Sequence, residues 1–116
     1  MADTEDPKLQ YKIVKGKTSR PLRVGCADYK IVYCKDLMLG EHACHGVCDP
    51  EARVIYLDVD GKQVMQTLLH EIVHAAVSEF GIRQHEDWCV KLEELIAETV
   101  SRVLVANFHL RAVAEP

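Results

Sequence analysis

His70 and His74 stand one helical turn apart with Glu71 between them, in the string His70-Glu71-Ile72-Val73-His74. Residues i and i+4 share a helix face, so both imidazoles can reach one tetrahedral metal ion at about 2.0–2.1 Å. Glu71 projects about 100° round from His70, near enough to hold an attacking water without ligating the ion, which is where a general base must stand. This is the H-E-x-x-H pattern of zinc-dependent hydrolysis. A random ordering of the same residues would produce it roughly 0.03 times per chain. Its flanks, Leu68-Leu69 and Ala75-Ala76-Val77, are apolar. Histidines buried in such surroundings are costly without a partner such as a metal. The expectation is one Zn2+ per chain on His70 and His74, with Glu71 catalytic.

A catalytic zinc ordinarily has three protein ligands and an open fourth position. The segment from Ala75 to His85 lacks the third histidine of the longer zinc-peptidase motifs. The third donor is therefore expected from a carboxylate further on. Glu93, Glu94 and Glu98 follow His74 by 19, 20 and 24 residues. On a wheel of 100° per residue, Leu92, Leu95, Ile96, Thr99 and Val103 share a stripe with Trp88, and this stripe is taken to be buried. Glu93 falls at its edge, whereas Glu94 and Glu98 fall on the opposite side. Wheel geometry thus prefers Glu93, while a bend or a different packing stripe would hand the role to Glu94.

These residues need a scaffold, and 116 residues suffice for one domain. A chain that is 48% hydrophobic and 28% charged, with 6 Gly and 4 Pro, has a globular rather than disordered composition. The front half is strand-like. Strands are expected over Leu9–Val14, over Arg23–Cys34 as one or two segments, and in Glu41–Cys48 and Arg53–Asp58 on either side of the turn Asp49-Pro50-Glu51-Ala52. Apolar spacing predicts a helix from about Lys62 to Phe80 with Gly81 past its end, and a second from His85–Asp87 to about Asn107. The expected fold is α+β: a small antiparallel or mixed sheet of three to four strands packed on two long helices. A basic, partly flexible segment, 1–22, precedes the domain 23–107, and a tail, 108–116, follows it.

The net charge of −4 argues against wholesale nucleic-acid binding, yet residues 8–35 carry eight Lys or Arg against the single acid Asp28. That segment, Lys8 to Lys35, has two readings: a dock for nucleic acid, or lysines that keep an edge strand from aggregating, the latter favoured because no aromatics interleave. His42, Cys44, His45 and Cys48 offer four soft-metal ligands in seven residues. They form either a second metal site or a hairpin arm carrying small thiols, the latter favoured because the paired C-x-x-C spacing is missing. If the hairpin lies over the site, His42 or His45 would contact substrate or an oxyanion; Tyr56 and His85 are further candidates, with a structural role favoured for each. The strand Arg53–Asp58 is either the edge along which a peptide adds or a central strand paired on both sides. No apolar run approaches the roughly 18 residues of a membrane span, and the acidic stretch Met1–Pro7 is unlike a signal peptide. Five cysteines at unpaired spacings suggest free thiols. No membrane partner and a cytoplasmic location are expected.

The string Thr67-Leu68-Leu69-His70-Glu71-Ile72-Val73-His74-Ala75, preceded by Val54-Ile55-Tyr56-Leu57 and followed by Phe80-Gly81-Ile82 and an acidic helix, resembles small zincin-like metallopeptidases. These are the minimal gluzincins of phages and mobile elements, related to ImmA/IrrE-like and SprT-like proteins. The resemblance covers roughly residues 23–107, and only the zinc helix is highly specific. It implies zinc held by His70, His74 and a second-helix glutamate, a protein or peptide substrate, Glu71 as base, and a bacterial or phage-infected cell. It departs at Glu93-Glu94-Leu95-Ile96-Ala97-Glu98, which stands where some relatives carry a Glu-Ala-Asn type of signature. Two alternatives are a non-catalytic zinc-stabilised module that binds a protein or DNA, closed by a fourth ligand such as Cys89 or His85, and a DNA-associated SprT-like protease.

Overall fold

The computed structural model describes residues 8–14, 21–61 and 63–108. The strand β1 (Leu9–Ile13) and the short β2 (Leu22–Val24) both pair antiparallel with β3 (Ala27–Leu39), a strand of 13 residues that forms the spine of the sheet. In β3 the buried Ala27, Tyr29, Ile31 and Tyr33 alternate with the exposed Asp28 and Lys30, the period-two pattern of a strand with one face in the core. The strand β4 (His42–Ala43) folds back on the end of β3, and β5 (Gly46–Asp49) forms a hairpin with β6 (Val54–Asp58). β6 runs parallel to β3, so the sheet is mixed, in the order β1-β3-β6-β5. With two helices on the same chain the fold is α+β.

The sheet differs from expectation in two ways. Among the described residues it has six strands rather than three or four, and β3 runs on past Cys34 to Leu39. Asp36 allows this: it takes a φ of 53° opposite the register shift between Gln10 and Lys12, and the kinked strand keeps its pairing. The Asp49–Ala52 turn closes as expected, with Asp49 Oδ1 accepting the Ala52 N–H at 3.2 Å. β6 is paired on both sides, so the edge beside the helices is β5. β1 lies inside the segment 1–22 that the sequence sets apart, and residues 1–7, 15–20 and 109–116 lie outside those described.

Helix α1 (Val64–Glu79) lays Leu68, Ala75 and the flanking Met65, Ile72 and Ala76 on Tyr29, Ile31, Ile55 and Leu57. Full burial of each large aliphatic side chain contributes about 1.5–3 kcal/mol. The helix stops at Phe80 because Gly81 adopts φ 72°, a left-handed conformation that costs glycine little. Its last turn is pinned to the sheet. The Tyr29 hydroxyl donates to Glu79 Oε2 at 2.7 Å and Arg53 Nη2 donates to Glu79 Oε1 at 3.3 Å, holding the Glu79 carboxyl below its ordinary pKa.

After a 3-10 turn (Ile82–Gln84), helix α2 covers Val90–Asn107, starting later than expected. Cys89 caps it, its Sγ accepting the Leu92 N–H at 3.4 Å. α2 packs chiefly against α1 rather than on the sheet, and it does so with the face opposite to the one its apolar spacing predicts. Glu93, Ala97 and Ser101 are buried, whereas Leu92, Leu95, Ile96 and Val103 are 46%, 63%, 45% and 52% exposed. Polar pairing across the helix interface accounts for the reversal. Gln66 Nε2 donates to Glu98 Oε1 at 3.1 Å, His70 Nε2 lies 3.2 Å from Glu94 Oε2, and His74 reaches both Glu93 and Glu94. These pairs recur one turn apart along antiparallel helices, and turning the apolar face inward would break all of them at once. No helix among the described residues is long and apolar enough to cross a membrane.

Candidate metal centre

His70 and His74 project from the middle of α1 toward α2, their ring centroids 5.0 Å apart. Glu94 stands across from them, with Oε1 2.8 Å from His74 Nε2 and Oε2 3.2 Å from His70 Nε2. The three side chains place one ligand atom each within 4.8 Å of one another, the single such group of His, Cys, Asp or Glu among the described residues. Tetrahedral ligands about 2.1 Å from zinc stand roughly 3.4 Å apart, so small outward adjustments would admit the ion. Two imidazoles and one carboxylate also form a donor set typical of catalytic rather than structural zinc. The residues present fit the metal.

Glu93 is deeply buried, on the face of α2 that meets α1 and not beside the exposed apolar stripe, and it pairs with the other ring nitrogen of His74. His74 Nδ1–H donates to Glu93 Oε2, which directs Nε2 toward Glu94 and the other histidine. Arg83 clamps the same carboxylate bidentately, Nε to Oε1 at 3.1 Å and Nη2 to Oε2 at 2.9 Å, and the Trp88 indole N–H donates to Oε1 at 2.8 Å. With every lone pair engaged, the Glu93 carboxyl is lowered to about 2, chiefly by the Arg83 bonds and against the cost of burial. Glu98 plays a looser version of this part for His70, its Oε2 3.8 Å from Nδ1. Each histidine therefore has a carboxylate behind it and Glu94 in front, the arrangement in which outer partners fix the orientation of metal ligands. Of the two glutamates that the sequence leaves open, Glu94 belongs to the three-residue group, whereas Glu93 is engaged by Arg83, Trp88 and His74 Nδ1.

Glu71 is 8% exposed, and the Cys48 backbone of β5 lies near its carboxylate. Burial raises its pKa, while the neighbouring His74 and His70 pull it back. β5 approaches α1 very closely here. A Cβ on Gly46 would lie 2.6 Å from Thr67 Cγ2 and 3.1 Å from Glu71 Cγ, so only glycine fits. Gly46, His70 and Glu71 sit at the junction of two hollows. One, of about 340 Å³, is bordered by His45, Gln66, Thr67 and Glu98; the other, of about 510 Å³, by Leu39, Val47, Trp88 and Val90.

The remaining candidates separate. His45 borders the first hollow beside Glu71. His42 is exposed on β4, and Tyr56 lies on the sheet face away from α1, its ring 5.0 Å from that of Tyr11. His85 is turned to Asp87, accepting its N–H at 3.1 Å, and Cys89 is the cap of α2, so neither belongs to the ligand group. The His42–Cys48 arm forms no second ligand group among the described residues, and burial pushes the Cys48 thiol up to about 12, keeping it protonated. All five cysteines are free thiols. In the basic segment Lys12 pairs with Asp36 at 3.3 Å and Arg23 with Asp28 at 3.8 Å, and Lys15, Lys17 and Arg20 lie outside the described residues.

Arg83, Trp88 and Gly46 carry the site and were not singled out by sequence spacing. A carboxylate on a buried helix face calls for a cation, which points to some Arg or Lys near Glu93. The spacing of a loop does not say which one. No family model, curated protein or solved structure matches this chain.

Proposed function

We propose that the protein is a zinc-dependent metallopeptidase with His70, His74 and Glu94 as ligands and Glu71 as general base. The single observation that carries this reading is the convergence of the two α1 histidines and Glu94 beside the buried carboxylate of Glu71, at the junction of an open two-lobed cleft. Zinc held there would supply Lewis acidity, polarising a carbonyl and making water a better nucleophile at neutral pH. The chain does the rest. Glu71, buried between the two histidines and β5, takes the proton from water and passes it to the departing amine. Glu93, Arg83 and Trp88 hold His74 in one tautomer and orientation. A peptide substrate lies along the outer edge of β5, spanning both hollows and pairing with the strand through backbone hydrogen bonds.

The test is Glu71→Gln, assayed on a quenched-fluorescent peptide library alongside zinc content. The expected result is unchanged zinc and hydrolysis lowered by about 10²–10⁴-fold, the range for loss of a general base. Hydrolysis at the wild-type rate would remove Glu71 from the chemistry.

A further inference from the structure

The two hollows that meet at Gly46, His70 and Glu71 have opposite chemistry. The one of about 340 Å³ is walled by His45, Gln63, Gln66, Thr67, Glu98 and Arg102, every one of which carries a hydrogen-bond donor or acceptor. The one of about 510 Å³ has an apolar wall of Leu39, Val47, Trp88 and Val90. Its charged members are already paired: Arg83 holds Glu93 at 2.9 Å, and His74 and Glu94 belong to the ligand group. Val47 and Cys48 alternate along β5, yet both border this hollow, so it follows the free edge of the strand rather than one face of the sheet. We infer that the site selects the residues on the two sides of the bond it cuts, an apolar side chain before the bond and a neutral, hydrogen-bonding one after it. This preference rests on the metallopeptidase reading and gives that reading a substrate class.

The order follows from the direction of β5. A peptide adding to the free edge of this strand pairs antiparallel more readily than parallel, because antiparallel ladders are the more stable and the more common. Its chain then runs against β5, so the part opposite Val47 and Cys48 comes first and the part opposite His45 and Gly46 comes later. Successive side chains of an extended peptide point to opposite sides. At the junction, where the bond to be cut lies beside Glu71, the two flanking side chains therefore part, one into each hollow. The side chain before the bond enters the hollow of Leu39, Val47, Trp88 and Val90, where an aliphatic or aromatic group is removed from water. A charged group there would lose hydration without gaining a partner, since Arg83 and Glu93 hold each other through two bonds. The side chain after the bond enters the hollow of Gln63, Gln66 and Thr67, whose polar groups a hydrocarbon chain would leave unpaired. Glu98 in this hollow is engaged by Gln66 and Arg102, which favours a neutral amide or hydroxyl over a lysine.

Trp88 is the single tryptophan of the chain and borders the apolar hollow, so its fluorescence reads occupancy without any hydrolysis. Zinc-loaded Glu71→Gln is titrated with acetyl-Ala-Ala-Leu-Gln-Ala-Ala-amide and with the same peptide carrying Gln-Leu. The Leu-Gln order should shift the Trp88 emission and bind at least about 10-fold more tightly, the scale on which a pocket separates such side chains. In parallel, mass spectrometry of a peptide library digested by the zinc-loaded, unsubstituted chain should place cleavage after apolar and before neutral polar residues. Val90 is 62% exposed and opens α2, where a carboxylate suits the helix dipole, so Val90→Asp should fold normally. It should move the preferred residue before the bond from leucine to lysine by at least about 10-fold. Binding or cleavage indifferent to the order, the opposite order, or a Val90→Asp chain that still prefers leucine would overturn the assignment of the two hollows and leave the peptidase reading standing wherever peptides are cut. Ordered binding by a chain that cuts no peptide would instead remove the peptidase reading and keep the two hollows. No binding and no cleavage would overturn both.

Discussion

The two helices divide the work of the molecule in opposite ways. α1 is amphipathic in the ordinary sense: Leu68, Ile72 and Ala75 meet the sheet, and His70 and His74 turn to the site. α2 turns its carboxylates inward and leaves its aliphatic side chains outside. One helix is held by burial of hydrocarbon, the other by a ladder of charged and polar pairs centred on Glu93. The apolar pattern therefore tells which face of α1 is inside but not which face of α2 is. Where a helix turns carboxylates toward the histidines of a neighbour, hydrogen bonding to those groups overrides the hydrophobic stripe.

The comparison breaks most visibly at the support of Glu93. Arg83→Ala leaves a carboxylate that is 5% exposed without its bidentate cation. Urea denaturation should show a loss of about 3–5 kcal/mol, as for a buried pair missing one partner. A loss below about 1 kcal/mol would mean that the ladder contributes no more than surface ion pairs do. The next test sets the two helices side by side. Leu68→Ala in α1, where the side chain is 3% exposed, should cost about 2–5 kcal/mol, while Leu95→Ala in α2, where it is 63% exposed, should stay within about 0.5 kcal/mol. Equal losses would place the α2 stripe inside the protomer.

A smaller effect concerns pH. Burial, with Asp58 close by, pushes the Cys34 thiol up to about 11 from an ordinary 9.0. Because the folded value is the higher one, the unfolded chain ionises first as pH rises. The stabilisation from the neutral buried thiol is whole below pH 9 and declines between about 9 and 11. Cys34→Ala should flatten that alkaline decline in thermal melts, and Cys34 should alkylate more slowly than the exposed Cys26 and Cys89.

Much of this was legible in the sequence. The H-E-x-x-H spacing located the centre of α1, and Asp49-Pro50 marked the hairpin whose first strand, β5, crosses the cleft. The continuation of β3 past Asp36 was not legible, because a single non-glycine residue at positive φ leaves no pattern behind it. The different surroundings of Glu93 and Glu94 were not legible either. Both follow His74 at nearly the same distance, and what separates them is a guanidinium and an indole arriving from the loop before α2. Loop direction is a property of the fold and not of the spacing.

The central claim, that His70, His74 and Glu94 are ligands and Glu93 their support, is tested most directly by zinc stoichiometry and affinity across His74→Ala, Glu94→Ala and Glu93→Gln, with circular dichroism to confirm folding. One zinc per chain, lost in His74→Ala and Glu94→Ala but retained in Glu93→Gln with affinity lowered by about 10–100-fold, is the predicted result. Zinc lost with Glu93 and kept without Glu94, or no zinc bound by the unsubstituted chain after reconstitution, would contradict it.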